Sequence, residues 1–260
     1  MSANLPVAAA APPPAGSTPP ARCTECRLRC TAAFTPVSHD DLLFIEAFRT
    51  GVSIQPAGSS IVPEFRVGSR LYTLYSGWAF RYKTLSDGRR QILNFLLPGD
   101  LIGLQEEFVD QSTHGVEALT AVGLCEFPRD GLWDLFRQKP ELGYQITWLA
   151  AREEHLVDEN LLSAGRRTAA ERVAMLLVHL YRRAERVGLV TESRTEFPLT
   201  QQHIADALGL SLVHTNKTLR QLQRLGLHSI DGGYLTLEDP HAIARIADWV
   251  DRPMRRQPLI

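Results

Sequence analysis

No apolar run in the sequence approaches the roughly 20 residues that a membrane-spanning helix needs, so no membrane partner is expected. Nor does one sign of charge dominate. With 28 Lys and Arg against 29 Asp and Glu, the formal net charge is −1, and only a local concentration of cations could mark a nucleic-acid partner. Cysteine is scarce, four in 260 residues, yet Cys23, Cys26 and Cys30 fall within eight residues, and in a cytosol that keeps thiols reduced such crowding suggests metal or redox chemistry more than structural disulfides. Before Arg22 there is no charged side chain. Residues 1–21 are rich in Ala and Pro, lack the basic start and apolar core of a secretory signal, and read as a disordered tail of a cytoplasmic protein. Nucleophile elbow, phosphate loop and His-Glu-x-x-His pattern are missing too, which argues against an enzyme.

What is present falls into two periodicities. Between Thr35 and Pro128, eight short apolar runs (53–55, 59–62, 70–74, 78–82, 91–95, 101–104, 116–121 and 124–127) are separated by Gly and turn residues. They predict an antiparallel β-barrel or jelly roll within a sensor domain at 22–137. Ser86-Asp87-Gly88-Arg89 reads as a hairpin turn and Pro98-Gly99-Asp100 as a sharp corner. After Pro128 the period changes from two to about 3.6. Residues 140–163, within a segment at 138–165, predict one long helix. On it Leu142, Ile146, Leu149, Glu153, Leu156 and Asn160 form a stripe, with Glu154, Asp158 and Glu159 away from it. That stripe is the candidate seam of a homodimer, and packing against the chain's own barrel is the competing reading. A second helix at 168–187 carries Val173, Leu176, Leu177 and Leu180 on one side, together with Arg172, Arg182, Arg183 and Arg186.

The segment 166–240 predicts a winged helix-turn-helix, followed by a C-terminal helix and tail at 241–260. Thr200 is placed to cap a helix at 201–208, Gly209 to make the turn, and Ser211 to cap the helix that follows. Ile204, Ala205, Leu208, Leu210, Thr215 and Leu219 fall where two such helices need their inward faces. The second helix then presents Ser211, Val213, His214, Asn216, Lys217 and Arg220 as candidate DNA contacts. Lys217 suits guanine or phosphate, Asn216 suits adenine, and Val213 can offer only apolar contact to a thymine methyl. Thr218, Gln223 and Arg224 extend along the same helix. Gly232-Gly233-Tyr234 marks a small hairpin as the wing.

Barrel, long helix and winged helix-turn-helix, in that order, resemble the Crp/Fnr family of bacterial regulators over about residues 23–237. The likeness is carried by 88–103 (GRRQILNFLLPGDLIG), 168–180 (TAAERVAMLLVHL) and 199–227. It implies an α+β fold with a cyclic-nucleotide-binding-like barrel, a palindromic duplex operator, RNA polymerase and a second copy of the chain as partners. In cyclic-AMP-binding members an acidic residue and an Arg-Ser pair hold the ribose and phosphate. Here those positions fall near Leu104 and near Ser112-Thr113, so a cyclic phosphate would lack its charge-assisted partner, and no cyclic nucleotide is expected. The family's usual Glu near Val213 and Arg near Lys217 are absent as well, so its operator letters do not carry over.

Cys23, Cys26 and Cys30, with Cys125, resemble the oxygen-sensing branch of the family, in which three N-terminal cysteines and one barrel cysteine hold a [4Fe-4S] cluster. The resemblance implies that an intact cluster favours the dimer and sets two recognition helices about one DNA turn apart. The Cys-x2-Cys-x3-Cys run is tighter than that branch's usual spacing. The same four thiolates would also satisfy tetrahedral zinc or a thiol switch, or remain unliganded in a regulator that answers to another small molecule in its barrel.

Overall fold

Eight strands grow from the eight apolar runs in a computed structural model that describes residues 12–68, 70–105, 111–251 and 255–260. They are β1 (Gly51–Gln55), β2 (Ser60–Val62), β3 (Arg70–Ser76), β4 (Ala79–Thr84), β5 (Arg90–Leu96), β6 (Leu101–Ile102), β7 (Gly115–Ala118) and β8 (Val122–Pro128). The strands pair antiparallel into two four-stranded sheets, β1-β8-β3-β6 and β2-β7-β4-β5. Leu74, Ala79, Leu96, Val116, Ala118 and Leu124 point into the space between them, as the two-residue side-chain period requires. At the corner before β6, Gly99 has φ +95°, and a Cβ there would lie 2.3 Å from the Phe34 ring. Only glycine allows that backbone and lets the cysteine-bearing segment close over the corner.

Two helices preceding the DNA-binding region fix its position. After α1 (His39–Phe48) and α2 (Leu132–Gln138), α3 runs from Pro140 to Arg166. Its Leu142, Ile146 and Leu149 are buried in a core with Ile45, Leu71, Phe127, Leu132 and Leu135. Glu153 accepts from Asn94 Nδ2 at 3.1 Å and pairs with Arg81 at 3.3 Å, while Asn160 Nδ2 donates to the Leu93 carbonyl at 2.6 Å. The stripe expected as a dimer seam is therefore the face that α3 turns to its own barrel; Leu156, on the same stripe, is half-buried. The reason is local: the barrel end supplies both an apolar surface and polar partners at the helical spacing.

Helix α4 (Ala169–Arg186) starts at a capping box formed by Thr168 and Glu171, an arrangement that satisfies two exposed amides reciprocally. Its basic residues are engaged within the chain. Arg183 pairs with buried Asp100, Arg182 pairs with Glu185 at 2.8 Å, and Arg172 donates to the carbonyls of Arg167 and Leu208. Val173, Leu177 and Val178 join Trp78, Phe80, Ile92 and Phe95 from the outer face of the barrel in the largest core. The remaining elements are β9 (Arg194–Glu196), α5 (Gln201–Leu208), α6 (Leu212–Arg224), β10 (His228–Asp231), β11 (Tyr234–Leu237) and α7 (Pro240–Ile246). No helix among the described residues is long and apolar enough to cross a membrane.

Part of the expected disordered tail is laid against the barrel. Residues 1–11 lie outside the described residues, but Pro13 and Pro19 are buried, Ser17 accepts from Ser76 Oγ at 2.9 Å, and Arg49 donates to the carbonyls of Pro20 and Ala21. Gly123 makes room, since a Cβ there would stand 2.1 Å from the Ser17 carbonyl oxygen.

Candidate DNA interface and cysteine site

The helix-turn-helix is built from local hydrogen bonds outward. Thr200 Oγ1 accepts from the His203 amide at 3.2 Å, and His203 Nδ1 accepts from the Thr200 amide at 3.1 Å. Gly209 adopts the left-handed conformation that ends α5, and Ser211 Oγ accepts from the His214 amide at 3.2 Å to start α6. The two helices meet through Ile204, Ala205, Leu208, Thr215, Leu219 and Leu222, all buried. What remains outside is a face with Val213, His214, Lys217, Arg220, Gln221 and Arg224 exposed. Val213 is 80% exposed beside Leu212 at 45%, so the start of the helix carries apolar side chains on its outer surface. A helix N-terminus with its cap satisfied, followed by cations, suits a phosphate-lined groove.

Two expected contacts, Ser211 and Asn216, and Thr218 farther along the helix are placed differently from the rest. Ser211 acts as the helix cap. Asn216 is half-buried and donates from Nδ2 to Gln201 Oε1 at 2.7 Å, so reading a base requires it to leave that partner. Thr218 is buried and donates to the His214 carbonyl at 2.9 Å, which removes it from the outer face. The wing follows the sequence reading: Gly232 and Gly233 both have positive φ, as the tightest two-residue hairpin turn demands, and β11 pairs with both β10 and β9. The unit is held to the barrel by Arg90 with Asp206 at 3.4 Å and by Gln91 Nε2 donating to the Ala207 carbonyl at 3.0 Å.

The cysteines sit at the opposite end of α3. Two short helical turns, Cys23–Glu25 and Arg27–Cys30, cover the barrel end. Cys23 is 6% exposed and, with Cys125 against it, belongs to the same core as Leu142, Ile146 and Leu149 of α3. Cys26 packs against Leu28, Phe34 and Tyr75. Burial pushes the Cys125 thiol up to about 11 against the opposing effect of Arg49, and burial likewise raises Cys23, with Arg49 and Arg29 opposing. Arg29 is itself depressed by burial, while Cys26, Cys23 and Cys125 act to restore it. Three thiols and two guanidiniums thus share one neighbourhood. Cys30 is exposed, its Sγ 3.7 Å from the Cys26 carbonyl oxygen. Among the described residues no three His, Cys, Asp or Glu side chains stand at metal-ligand spacing. The expected convergence of all four cysteines is therefore only partial in this conformation. Arg29 and Arg49 were not singled out in the sequence; Arg29, lying between Cys26 and Cys30, was the available signal.

Beneath both regions lies an anchor that the sequence showed only as a turn. Asp100, fully buried, pairs with Arg152 of α3 at 2.9 Å and with Arg183 of α4, and also accepts from the Leu97 amide at 2.8 Å. Burial works to raise its carboxyl, but Arg183 and Arg152 together hold it below the ordinary range. On the inner face of β4, buried Arg81 is a guanidinium inside the barrel that the sequence reading did not foresee, and Glu153 is its partner.

Residues 55–139 match the cyclic nucleotide-binding domain family and residues 171–246 the Crp-like helix-turn-helix domain family. The nitrogen fixation regulation protein FixK of Bradyrhizobium diazoefficiens is 30% identical over 86% of this chain and 93% of its own length. An anaerobic regulatory protein of Pasteurella multocida is 34% identical over 70% of this chain and 68% of its own. The solved structure of FixK2 from Bradyrhizobium japonicum superposes with a TM-score of 0.70 at 27% identity, covering 78% of this chain and 98% of that one. With both domains matched and the relatives aligned along most of their length, the chain belongs to the Crp/Fnr family of DNA-binding transcription regulators, which are not enzymes.

Proposed function

We propose that the chain is a redox- or oxygen-responsive regulator that binds a palindromic duplex as a homodimer and acts on transcription through RNA polymerase. The observation that carries this reading is the shared core of Cys23, Cys125 and the first half of α3, which puts the cysteines against the helix whose outer face is free for a second copy. That outer face is a regular stripe of exposed residues, Thr147, Ala150, Glu154, Val157, Leu161 and Ala164, spaced alternately three and four apart. Small residues allow close approach, and Val157 and Leu161 supply the apolar contact. Glu154 at the middle of the seam, paired across the two-fold axis with its own copy, would keep the dimer weak enough to be switched.

Cys23, Cys26, Cys30 and Cys125 are the residues that would hold a [4Fe-4S] cluster. The donor chemistry fits: thiols alone, two guanidiniums beside them to offset thiolate charge, Cys23 buried and Cys125 half-buried. Bound there, the cluster would supply sensitivity to oxygen. The chain's own part is to exclude water over Cys23, to hold the thiol protons that a bound metal must displace, and to carry a change at the cysteines into α3. Iron and sulfide analysis of anaerobically purified protein tests the cofactor. About four irons per chain are expected for a cubane cluster, together with visible absorbance that bleaches in air. A colourless, iron-free protein that binds its duplex equally well with and without air would overturn the cluster. The anaerobic naming of the Pasteurella relative supports the same direction.

A further inference from the structure

The chain returns to its sensor end. After α7 and beyond residues 252–254, residues 255–260 run back over the barrel and wedge between the cysteine-bearing segment and the start of the DNA-binding unit. The backbone is held at several points. The Gln257 amide donates to the Ala33 carbonyl at 2.8 Å, and the Gln257 carbonyl accepts from the Thr35 amide at 2.8 Å. Phe34 and Gln257 thus form a parallel bridge. The Gln257 side chain donates to the Gly99 carbonyl at 2.8 Å, Arg29 donates to the Leu259 carbonyl at 3.1 Å, and Thr73 Oγ1 donates to the Ile260 carbonyl at 2.7 Å. On the other side, Arg186 near the end of α4 donates to the Arg255 carbonyl.

The two terminal side chains are placed in different cores, and each core contains a cysteine. Leu259, 2% exposed, sits among Leu28, Ala33, Phe34, Tyr75 and Val187, with Cys26 packed alongside. Ile260 sits with Cys23, Ile45, Leu71 and Phe127, with Cys125 alongside. Val187 belongs to the turn that ends α4, Tyr75 to β3, and Leu28 and Phe34 to the cysteine segment, so one aliphatic side chain bridges three parts of the molecule. Short 3-10 turns bury too little on their own to stay ordered, and the cysteine segment consists of two of them.

We propose that residues 255–260 are a strap that positions the cysteine-bearing segment, and that Leu259 and Ile260 set how far Cys23 and Cys26 are shielded from solvent. The strap also ties that segment to α4 through Arg186 and Val187. This inference needs only the protein without any cofactor, and so stands or falls apart from the cluster reading.

The test is site-resolved alkylation of the reduced, metal-free full chain with N-ethylmaleimide, read by mass spectrometry, with exposed Cys30 as the internal standard. In the double variant Leu259→Asp and Ile260→Asp, alkylation of Cys23 and Cys26 should accelerate about tenfold or more, because two buried aliphatic anchors are lost, while Cys30 stays at its original rate. Leu259→Ile should restore the slow reaction when Ile260 is left intact. If the charged variant loses its far-ultraviolet circular dichroism, Gln257→Ala decides, since it removes only the hydrogen bond to Gly99. Faster alkylation of Cys23 in that variant supports the strap. Unchanged alkylation of Cys23 and Cys26 in a folded variant overturns it.

Discussion

Helices α6 and α3 each leave one face uncovered, and the chemistry of the two faces is opposite. On α6 the open face carries Lys217, Arg220 and Arg224 beside apolar Val213. On α3 it carries Thr147, Ala150 and Ala164 with Val157 and Leu161, which is 70% exposed. The first is a surface for a polyanion with apolar methyl groups in its groove, and the second is a surface for another protein helix. The same buried carboxylate sets α3 directly and α6 through α4, since Asp100 holds Arg152 of α3 and Arg183 of α4, whose Leu177 and Leu180 share a core with Leu219 and Leu222 of α6.

The contrast breaks most severely at that anchor. Asp100→Ala leaves the buried Arg183 guanidinium and the half-buried Arg152 guanidinium without their counter-charge and should cost about 3–5 kcal/mol of unfolding free energy, measured by urea denaturation; a loss below about 1 kcal/mol would mean that the pair is not structural. Acid should attack the same place. His179, beside Arg183 and Arg152, is held at about 3 by burial first and then by those two cations, and His114 at about 4 by burial, Arg81 and Lys83, against 6.5 ordinarily. Both fold with fewer protons than they bind when unfolded. Their contribution is therefore complete above about pH 6.5 and declines as pH falls toward these depressed values. Asp100, whose folded pKa is depressed, loses its contribution in the same direction but at lower pH, below the ordinary carboxylate range. Between pH 7 and 4.5 the two histidines together should remove on the order of 5 kcal/mol, shared about equally between them. His179→Gln should flatten that slope, and an unaltered slope would assign it to other groups.

Smaller changes sharpen the comparison by separating the two faces. Leu161→Asp should weaken the dimer by about 2 kcal/mol in sedimentation equilibrium while leaving monomer stability unchanged. The same substitution without effect on association would move the seam elsewhere. Lys217→Ala should weaken duplex binding by roughly 1–2 kcal/mol and reduce its salt dependence, with no change in association state. Asn216→Ala tests whether the half-buried amide leaves Gln201 on binding; equal affinity for all duplexes would show that it serves only the fold.

The same contrast explains what the sequence could reveal. Thr200, Gly209 and Ser211 act through hydrogen bonds a few residues away, so spacing alone located α5 and α6. The strands were legible for a similar reason, because alternation and turn residues are local. On α3, by contrast, Leu142, Ile146 and Leu149 and the exposed Thr147, Ala150, Val157 and Leu161 both keep helical spacing. Which stripe meets the barrel depends on Asn94, Arg81 and the Leu93 carbonyl, more than fifty residues earlier in the chain. The cysteine site was legible in composition but not in geometry. Its walls come from Arg29, Arg49, α3 and the returning residues 255–260, and no periodicity joins segments so distant. Arg183 illustrates the limit: beside Arg182 and Arg186 it reads as surface charge, yet its partner is a turn aspartate in another domain.

The central claim, that the state of the cysteines governs operator binding through α3, is tested most directly by fluorescence anisotropy on a palindromic duplex selected from a random pool by the anaerobic protein. Affinity would be compared before and after exposure to air and in a variant with all four cysteines changed to serine. Air should weaken binding of the native chain at least about tenfold, within the usual range of allosteric coupling, and should leave the serine variant unchanged. Equal affinity of the native chain in both conditions would contradict the claim, leaving a Crp/Fnr regulator whose signal enters elsewhere.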